Sequence, residues 1–280
     1  MKKQNLKLFQ QPKSNAGTHF SLSEINPLVV TAVDGKKNKK RNFFLRVLKV
    51  IYGLLMDLLE LFYPRFCFAC DRKMLEHEKV LCTFCLRQLP KTNYHLHPDN
   101  PVEKLFWGHC NVYAAAAYYL FIKGGKVQHL VHNFKYKGFT QIGEYIGEVY
   151  GKELMKSSRF ADADYIVPIP LHRKKLRQRG FNQSEIFGQG LSRSMKAKLE
   201  VENLYRKVYT STQTKKSRWE RFINVDSIFA LRDKELYKGK HILLVDDVIT
   251  TGSTMEACIK LIQEIEGAKV SVVAMATAAN

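Results

Sequence analysis

Apolar residues recur at helical spacing in some stretches of the chain and form short unbroken runs in others. Leu45, Leu48, Leu55, Leu58, Leu59 and Phe62 fall at helical spacing across residues 43–62. Arg46, Lys49, Asp57 and Glu60 interrupt that stretch, which argues against a transmembrane span and for a docking helix. Contact with a membrane interface is the weaker alternative. Residues 127–134 and 142–155 repeat the helical spacing, separated by Lys135-Tyr136-Lys137-Gly138. The segments 165–169, 241–245 and 269–276 are apolar and rich in β-branched residues, as strands buried in a parallel sheet are. Pro168 and Pro170 carry the first of these into a rigid loop. Residues 112–122, with their alanines and Tyr113, Tyr118 and Tyr119, fit strand or helix equally. Further helices are expected from Phe181-Asn182-Gln183 to about Leu199, from the Thr250–Thr254 turn through Leu261, and briefly near Arg218 to Val225. Residues 1–42 show little periodicity and are expected to be disordered. No apolar core follows Met1-Lys2-Lys3, so that stretch does not read as a signal peptide.

A chain of 280 residues, 45% hydrophobic, can hold one sizeable α/β domain and something smaller. Charge changes the picture more than composition does. The net charge of +19 is concentrated: residues 1–49 carry eleven Lys/Arg against two acids, and residues 171–221 fourteen against four. The last forty residues are net acidic. Islands of this kind suit anionic partners, whether phosphate-rich substrates, nucleic acid or a membrane surface. Lys36-Lys37-Asn38-Lys39-Lys40-Arg41 is read as a solvated run, with a nucleic-acid or membrane role as the alternative.

Four of the six cysteines form two Cys-x-x-Cys pairs, Cys67/Cys70 and Cys82/Cys85, separated by eleven residues. Each knuckle can turn two thiolates inward, and a soft sulfur set of tetrahedral geometry selects zinc. An iron–sulfur centre, redox pairs or unligated thiols are the alternatives. His77, His95 and His97 are candidate extra ligands but read more simply as exposed histidines, and Cys110 as a small buried hydrophobe.

The densest chemistry lies in His241-Ile-Leu-Leu-Val-Asp-Asp-Val-Ile-Thr-Thr-Gly-Ser-Thr254. The apolar run is expected to end as a strand at Val245. Asp246 and Asp247 follow, then a small-residue turn that opens a helix. Free amides and hydroxyls at such a helix start suit a phosphate, and the carboxylates can hold sugar hydroxyls or a magnesium ion. A second unusual stretch packs five cations into the seven residues Arg173 to Arg179. Its counterpart is either a pyrophosphate or nucleic-acid backbone, or simply solvent around a basic loop.

The segment from Ile242 to Thr254 resembles the thirteen-residue signature of type I phosphoribosyltransferases. Combined with other pieces it resembles one family in particular, the ComF/GntX-like phosphoribosyltransferases, whose namesake belongs to bacterial competence. Those pieces are the knuckles after Tyr63-Pro64, Lys135-Tyr136, Val167-Pro168-Ile169-Pro170, Arg177-Gln178-Arg179-Gly180-Phe181-Asn182-Gln183 and Arg218-Trp219-Glu220-Arg221-x-x-Asn224. The resemblance spans about residues 56–278. Many members carry a further Cys-x-x-Cys; residues 96–108 offer none, so one zinc is expected. Related glutamine-dependent enzymes use an N-terminal cysteine in a separate domain. This sequence has no cysteine before Cys67, so no glutaminase activity is expected.

The resemblance implies an α/β fold: a type I phosphoribosyltransferase-like parallel sheet with helices on both faces, preceded by a small zinc ribbon. The expected organisation is a disordered basic tail at 1–42, an amphipathic helix at 43–63, a zinc ribbon at 64–91 and the phosphoribosyltransferase-like domain at 92–280. A hood over the second substrate would draw on part of residues 92–122. Asp246 and Asp247 take the catalytic, ribose-facing role. Thr250, Thr251, Gly252, Ser253 and Thr254 cradle the 5′-phosphate, and Arg177, Arg179 and Lys135 bind the remaining anion. Cys67, Cys70, Cys82 and Cys85 hold zinc. Phosphoribosyl pyrophosphate with magnesium is the expected ligand, the acceptor being unread. The alternative is a non-catalytic sensor of nucleotides or handler of single-stranded DNA, with competence helicase or recombination proteins as partners. No regular aromatic interleaving marks a base-stacking platform. The expected location is the cytoplasm, with peripheral contact to the inner membrane through partners.

Overall fold

The computed structural model describes residues 43–55, 58, 64–207 and 228–278. The basic run at 36–41, the Arg218 motif and the end of the helix expected to reach residue 62 or 63 lie outside the described residues. The chain divides into two units, Met1–Tyr63 and Pro64–Asn280. In the first, residues 43–55 are helical, over the stretch where helical spacing was read. Among the described residues no helix is long and apolar enough to cross a membrane.

The second unit is built on a five-stranded, all-parallel sheet in the order β1-β7-β6-β2-β3. Its strands are β1 (Ala114–Phe121), β2 (Tyr165–Pro168), β3 (Lys198–Leu199), β6 (His241–Ile249) and β7 (Lys269–Ala278). A separate antiparallel ribbon joins β4 (Leu204–Arg206) to β5 (Phe229–Leu231). β6 and β7 have neighbours on both sides, and their side chains alternate between two cores. Leu243, Val245, Val273 and Met275 enter one core with Phe134, Ile146, Tyr150 and Phe187. Ile242, Leu244, Val270 and Val272 enter the other with Met255, Cys258, Ile259 and Ile262. After the short helices α1 (Thr83–Gln88) and α2 (Pro101–Lys104), α3 (Lys126–Tyr136), α4 (Gln141–Leu154) and α6 (Gln183–Ser194) therefore cover one face, and α7 (Ser253–Gln263) covers the other. This is the parallel sheet with helices on both faces that the sequence implied. The cysteine module, with its helix α1 (Thr83–Gln88), shares the first core through Cys67, Met74, Leu81, Cys82 and Cys85. It is anchored to the sheet layer and does not hang free of it.

Four expectations are corrected or resolved. Residues 114–121 are an edge strand; small alanines, fully buried, let helices close over β1. The helix opening at Gln183 stops at Ser194, because Lys198–Leu199 pairs with Tyr165–Ile166 at the sheet edge; tertiary pairing overrides local helix propensity. β6 continues past the acid pair to Ile249, since β7 keeps offering partners: Asp246 stands opposite Ala274 and Ile249 opposite Thr277. The basic stretch is not a loop. It forms the short helix α5 (Arg173–Arg179), capped by the His172 side chain, which accepts from the Lys174 N–H. Gly180 at φ 81° closes it, a conformation open to glycine at no steric cost.

Candidate functional site

The C-terminal ends of β2 and β6 open into a cavity of about 410 Å³. In open parallel sheets the crevice beyond the strand ends is the usual ligand position. Asp246 and Asp247 stand in it, with Asp247 buried. Lys135, from the last turn of α3, reaches Asp247 Oδ1 at 2.9 Å. The Ser184 hydroxyl, in the first turn of α6, donates to Asp246 Oδ1 at 2.7 Å, and the Asp247 N–H donates to the same oxygen at 2.8 Å. Burial, and after it the charge of Asp247, pushes the Asp246 carboxyl up to about 7, against the opposing pull of Ser184, the Asp247 N–H and Lys135. The pair therefore holds a proton more readily than two separate surface acids would.

The loop into α6 is built by its own side chains. Asn182 caps α6 by accepting from the Ser184 N–H, while its amide donates to the Ile169 carbonyl beyond β2. That double contact ties the helix start to the end of the strand and aims Ser184 at Asp246. Arg179 donates to Gln183 Oε1 at 2.7 Å and lies 5.5 Å from the Tyr136 ring centre. Its guanidinium is thereby held at the cavity wall, together with Lys175 and, from the β4–β5 ribbon, Arg206. Among the described residues no carboxylate pairs with Lys175, Arg179 or Arg206.

Of the residues singled out from sequence, Asp246, Asp247, Lys135, Arg179, Thr250 and Thr254 line the cavity together. Arg177 does not; it is exposed, two residues and about 200° round α5 from both Lys175 and Arg179. Thr251 and Gly252 form the adjoining turn and Ser253 opens α7, none of them lining the cavity. Gly252 sits at φ 76°, and a Cβ there would come within 3.1 Å of the Phe106 ring. A side chain would crowd that turn as well as strain it. No side chain caps α7, so its first amides face the turn unshielded by a local acceptor. Sequence reasoning missed His172, Ser184 and Arg206, and reached Lys175 only as one of the five cations from Arg173 to Arg179. Ser184 adjoins a quoted motif and was within reach of the argument, whereas Arg206 is delivered by the ribbon and has no local signal.

The four paired cysteines gather at one place, with all sulfurs within 4.8 Å of one another. Cys67, Cys82 and Cys85 are buried and Cys70 partly so. Thiolates about 2.3 Å from a central tetrahedral zinc stand about 3.8 Å apart, and Cys70 Sγ and Cys82 Sγ are separated by 3.8 Å. The Cys82 N–H points at Cys67 Sγ at 3.3 Å and the Cys85 N–H at Cys82 Sγ at 3.5 Å, the amide pattern that supports thiolate charge. The donor set fits a structural metal ion with no open coordination position. Of the three histidines, His77 and His97 are exposed as expected, but His95 is only 2% exposed and both ring nitrogens lack partners. None belongs to the sulfur cluster among the described residues.

Residues 182–280 match the model of the phosphoribosyl transferase domain. "DNA utilization protein YhgH" of Escherichia coli (strain K12) is 31% identical over 211 residues, covering 74% of this chain and 87% of that protein. "Competence protein F" of Haemophilus influenzae is 25% identical over 222 residues, covering 76% and 96%. Among solved structures, a glutamine phosphoribosylpyrophosphate amidotransferase from B. subtilis aligns at 18% identity and a TM-score of 0.37, over 52% of this chain and 30% of that one. At that score the likeness adds nothing to the fold already described. The matched domain, the sulfur cluster ahead of it and the extent of the curated relatives together decide the assignment: the chain belongs to the ComF-like family of phosphoribosyltransferase-fold proteins.

Proposed function

We propose that the cavity at the ends of β2 and β6 binds phosphoribosyl pyrophosphate with Mg²⁺, and that the protein transfers the phosphoribosyl group to an acceptor. The observation that carries the reading is the arrangement of charge. Two carboxylates stand near the C-terminal end of β6, with Lys135 and Ser184 on them, and Lys175, Arg179 and Arg206 line the same cavity. In the transfer, an acceptor lone pair forms a bond to ribose C1 while the bond from C1 to pyrophosphate oxygen breaks, its electron pair leaving on pyrophosphate. Positive charge grows on the ribose and negative charge on the leaving group. Asp246 and Asp247 are correctly signed for the first, and the cations for the second. Thr250, Thr254 and the uncapped start of α7 supply hydroxyls and amides for the 5′-phosphate. Mg²⁺ would neutralise pyrophosphate charge when bound, and the acid pair is the group able to hold it.

We assign one zinc ion to Cys67, Cys70, Cys82 and Cys85, in a structural role. The family link to competence proteins favours a role in handling incoming DNA, and one observation gives DNA contact separate support. Arg173, Lys174 and Arg177 are exposed and no carboxylate pairs with them among the described residues. Those cations are free of the cavity's needs only in part, since α5 also carries Lys175 and Arg179.

Isothermal calorimetry with phosphoribosyl pyrophosphate and Mg²⁺ tests the main reading. Binding should fall sharply when Asp246→Asn and Asp247→Asn are combined. Equal affinity in wild type and double variant would refute it.

A further inference from the structure

The cysteine module and the acid pair lie on opposite sides of one helix. On one side of α3, three residues at positions i, i+3 and i+7 touch the module. Lys126 lies 4.6 Å from the Phe84 ring centre, within α1. His129 Nε2 is 3.6 Å from Asp71, the residue that follows Cys70. Asn133 donates to the Phe68 carbonyl at 2.8 Å, between Cys67 and Cys70. Helical geometry puts 126, 129 and 133 within about 60° of one another and 135 about 200° beyond 133. Lys135 therefore emerges on the far side, where it meets Asp247 at 2.9 Å. The last turn of α3 is held between a cysteine knuckle and the acid pair.

Asn133 is the tightest of these contacts. It is 2% exposed, and its side-chain oxygen has no partner although buried. An orphaned amide oxygen in a helix facing a core is costly; a leucine of similar size would avoid that cost. The retained amide makes one strong bond, to the backbone of the first knuckle. Phe68 also packs its ring on Phe139, 4.7 Å between centres, at the turn that follows α3. A knuckle whose thiolates close on a metal fixes the Phe68 carbonyl; thiols without one leave that carbonyl to move with the loop.

We propose that Asn133 is a positioning residue, through which metal occupancy of the cysteine module sets the placement of Lys135 against Asp247, and with it the cavity's affinity for its anionic ligand. The proposal rests on the cavity being the phosphoribosyl pyrophosphate site proposed above only for its affinity arm. Its structural arm stands without that reading. The shift needed is small: the Lys135 contact is lost if the helix end moves by about 1 Å, beyond the range of a charge-assisted bond.

The test uses the full chain and Asn133→Leu, which keeps volume and apolar packing but removes the amide. Metal content, measured by plasma emission, should stay at the wild-type ratio. Hydrogen exchange of amides in residues 133–137 should speed up at least about tenfold, and affinity for Mg²⁺ with phosphoribosyl pyrophosphate should fall about fivefold to thirtyfold. Gentle chelation of the wild type should speed exchange in the same amides, and chelation of the variant should add little there, because the two perturbations break one link. Unchanged exchange at 133–137 in the variant overturns the proposal, as do exchange effects of chelation and substitution that simply multiply. If wild type binds no phosphoribosyl pyrophosphate but the exchange results hold, the ligand assignment fails and the mechanical link stands. Loss of metal from Asn133→Leu would show that the residue serves the knuckle itself and would likewise overturn its role as transmitter.

Discussion

Replacing Lys135 with methionine isolates the electrostatic centre of the site, because methionine keeps the apolar stem and removes the charge. Opposite unit charges 2.9 Å apart interact by about 6 kcal/mol at an effective dielectric near 20. Desolvation of two mostly buried groups offsets much of that, so the net loss of stability is set at about 2–3 kcal/mol with both acids ionised. The loss depends on pH. Asp246 has a folded-state pKa raised to about 7, above its unfolded value, so the folded protein binds more protons between about pH 4 and 7 and loses stability as pH rises through that window. Lys135 pulls that pKa down, so removing it steepens the fall. Urea unfolding followed by circular dichroism should show a loss of about 2–3 kcal/mol near pH 8. Near pH 5.5, where Asp246 carries its proton and the Lys135–Asp247 pair remains, the loss should be smaller by about 1 kcal/mol. Equal losses at the two pH values would refute the reasoning, because they would mean that Lys135 acts by packing and not by balancing two carboxylates.

Three further outcomes are expected. Arg179→Ala should weaken phosphoribosyl pyrophosphate by about 1.5–3 kcal/mol in calorimetry while Arg177→Ala stays within about twofold, because only Arg179 lines the cavity; equal effects would place the ligand outside it. Gly147→Ala should destabilise the protein by about 3 kcal/mol or more in urea, since the new Cβ would stand 2.3 Å from the Phe187 carbonyl oxygen and 2.8 Å from the Leu191 nitrogen, both backbone atoms that cannot rotate away. His95 is buried, which lowers its pKa below the ordinary value, so its contribution to stability is present above about pH 6.5 and lost as pH falls through the folded-state value; His95→Phe should flatten the acid limb of the variant's stability curve relative to that of the wild type, and parallel curves would show that the imidazole does not titrate on unfolding.

The parts legible in the sequence were those whose chemistry is local. The acid pair follows a buried apolar run and precedes a turn, so strand, acids and helix start could be read from fourteen consecutive residues, and Cys-x-x-Cys spacing by itself places two thiolates side by side. The illegible parts depend on partners far along the chain. Nothing near Ala114 says that its run of alanines pairs with β7, and nothing near Lys198 says that β2 has an open edge there. Arg206 reaches the cavity only because β4 pairs with β5. His95 reads as exposed from its polar neighbours, yet Tyr150 from α4 meets it edge-on at 5.7 Å and the core closes over both. The division of labour within α5 was also out of reach. A run of five cations looks uniform until a helix of known start and stop assigns each to a side.

The placement of Ser184 against Asp246 follows from glycines that have no chemistry of their own. α6 must bring its first turn to the end of β6, and its body lies between α4 and the sheet. On the α4 side, Gly190 faces the Glu144 carbonyl, where a Cβ would come within 2.2 Å, and Gly147 faces the Phe187 carbonyl at 2.3 Å. On the sheet side, Gly188 faces Leu199, Ile166 and Pro168 at 3.0–3.4 Å. The helix is thus pressed nearly backbone-to-backbone against α4 and held close to β2 and β3. Larger side chains at these positions would push it outward by roughly the length of a carbon–carbon bond. The Ser184–Asp246 contact is 2.7 Å long, and a shift of that size takes it beyond hydrogen-bonding range. The acid pair would then lose the donor that opposes its elevated pKa. Close packing of α6 is therefore a condition of the site's charge state, and the glycines on α4 and α6 belong to its chemistry through the position they give to one hydroxyl.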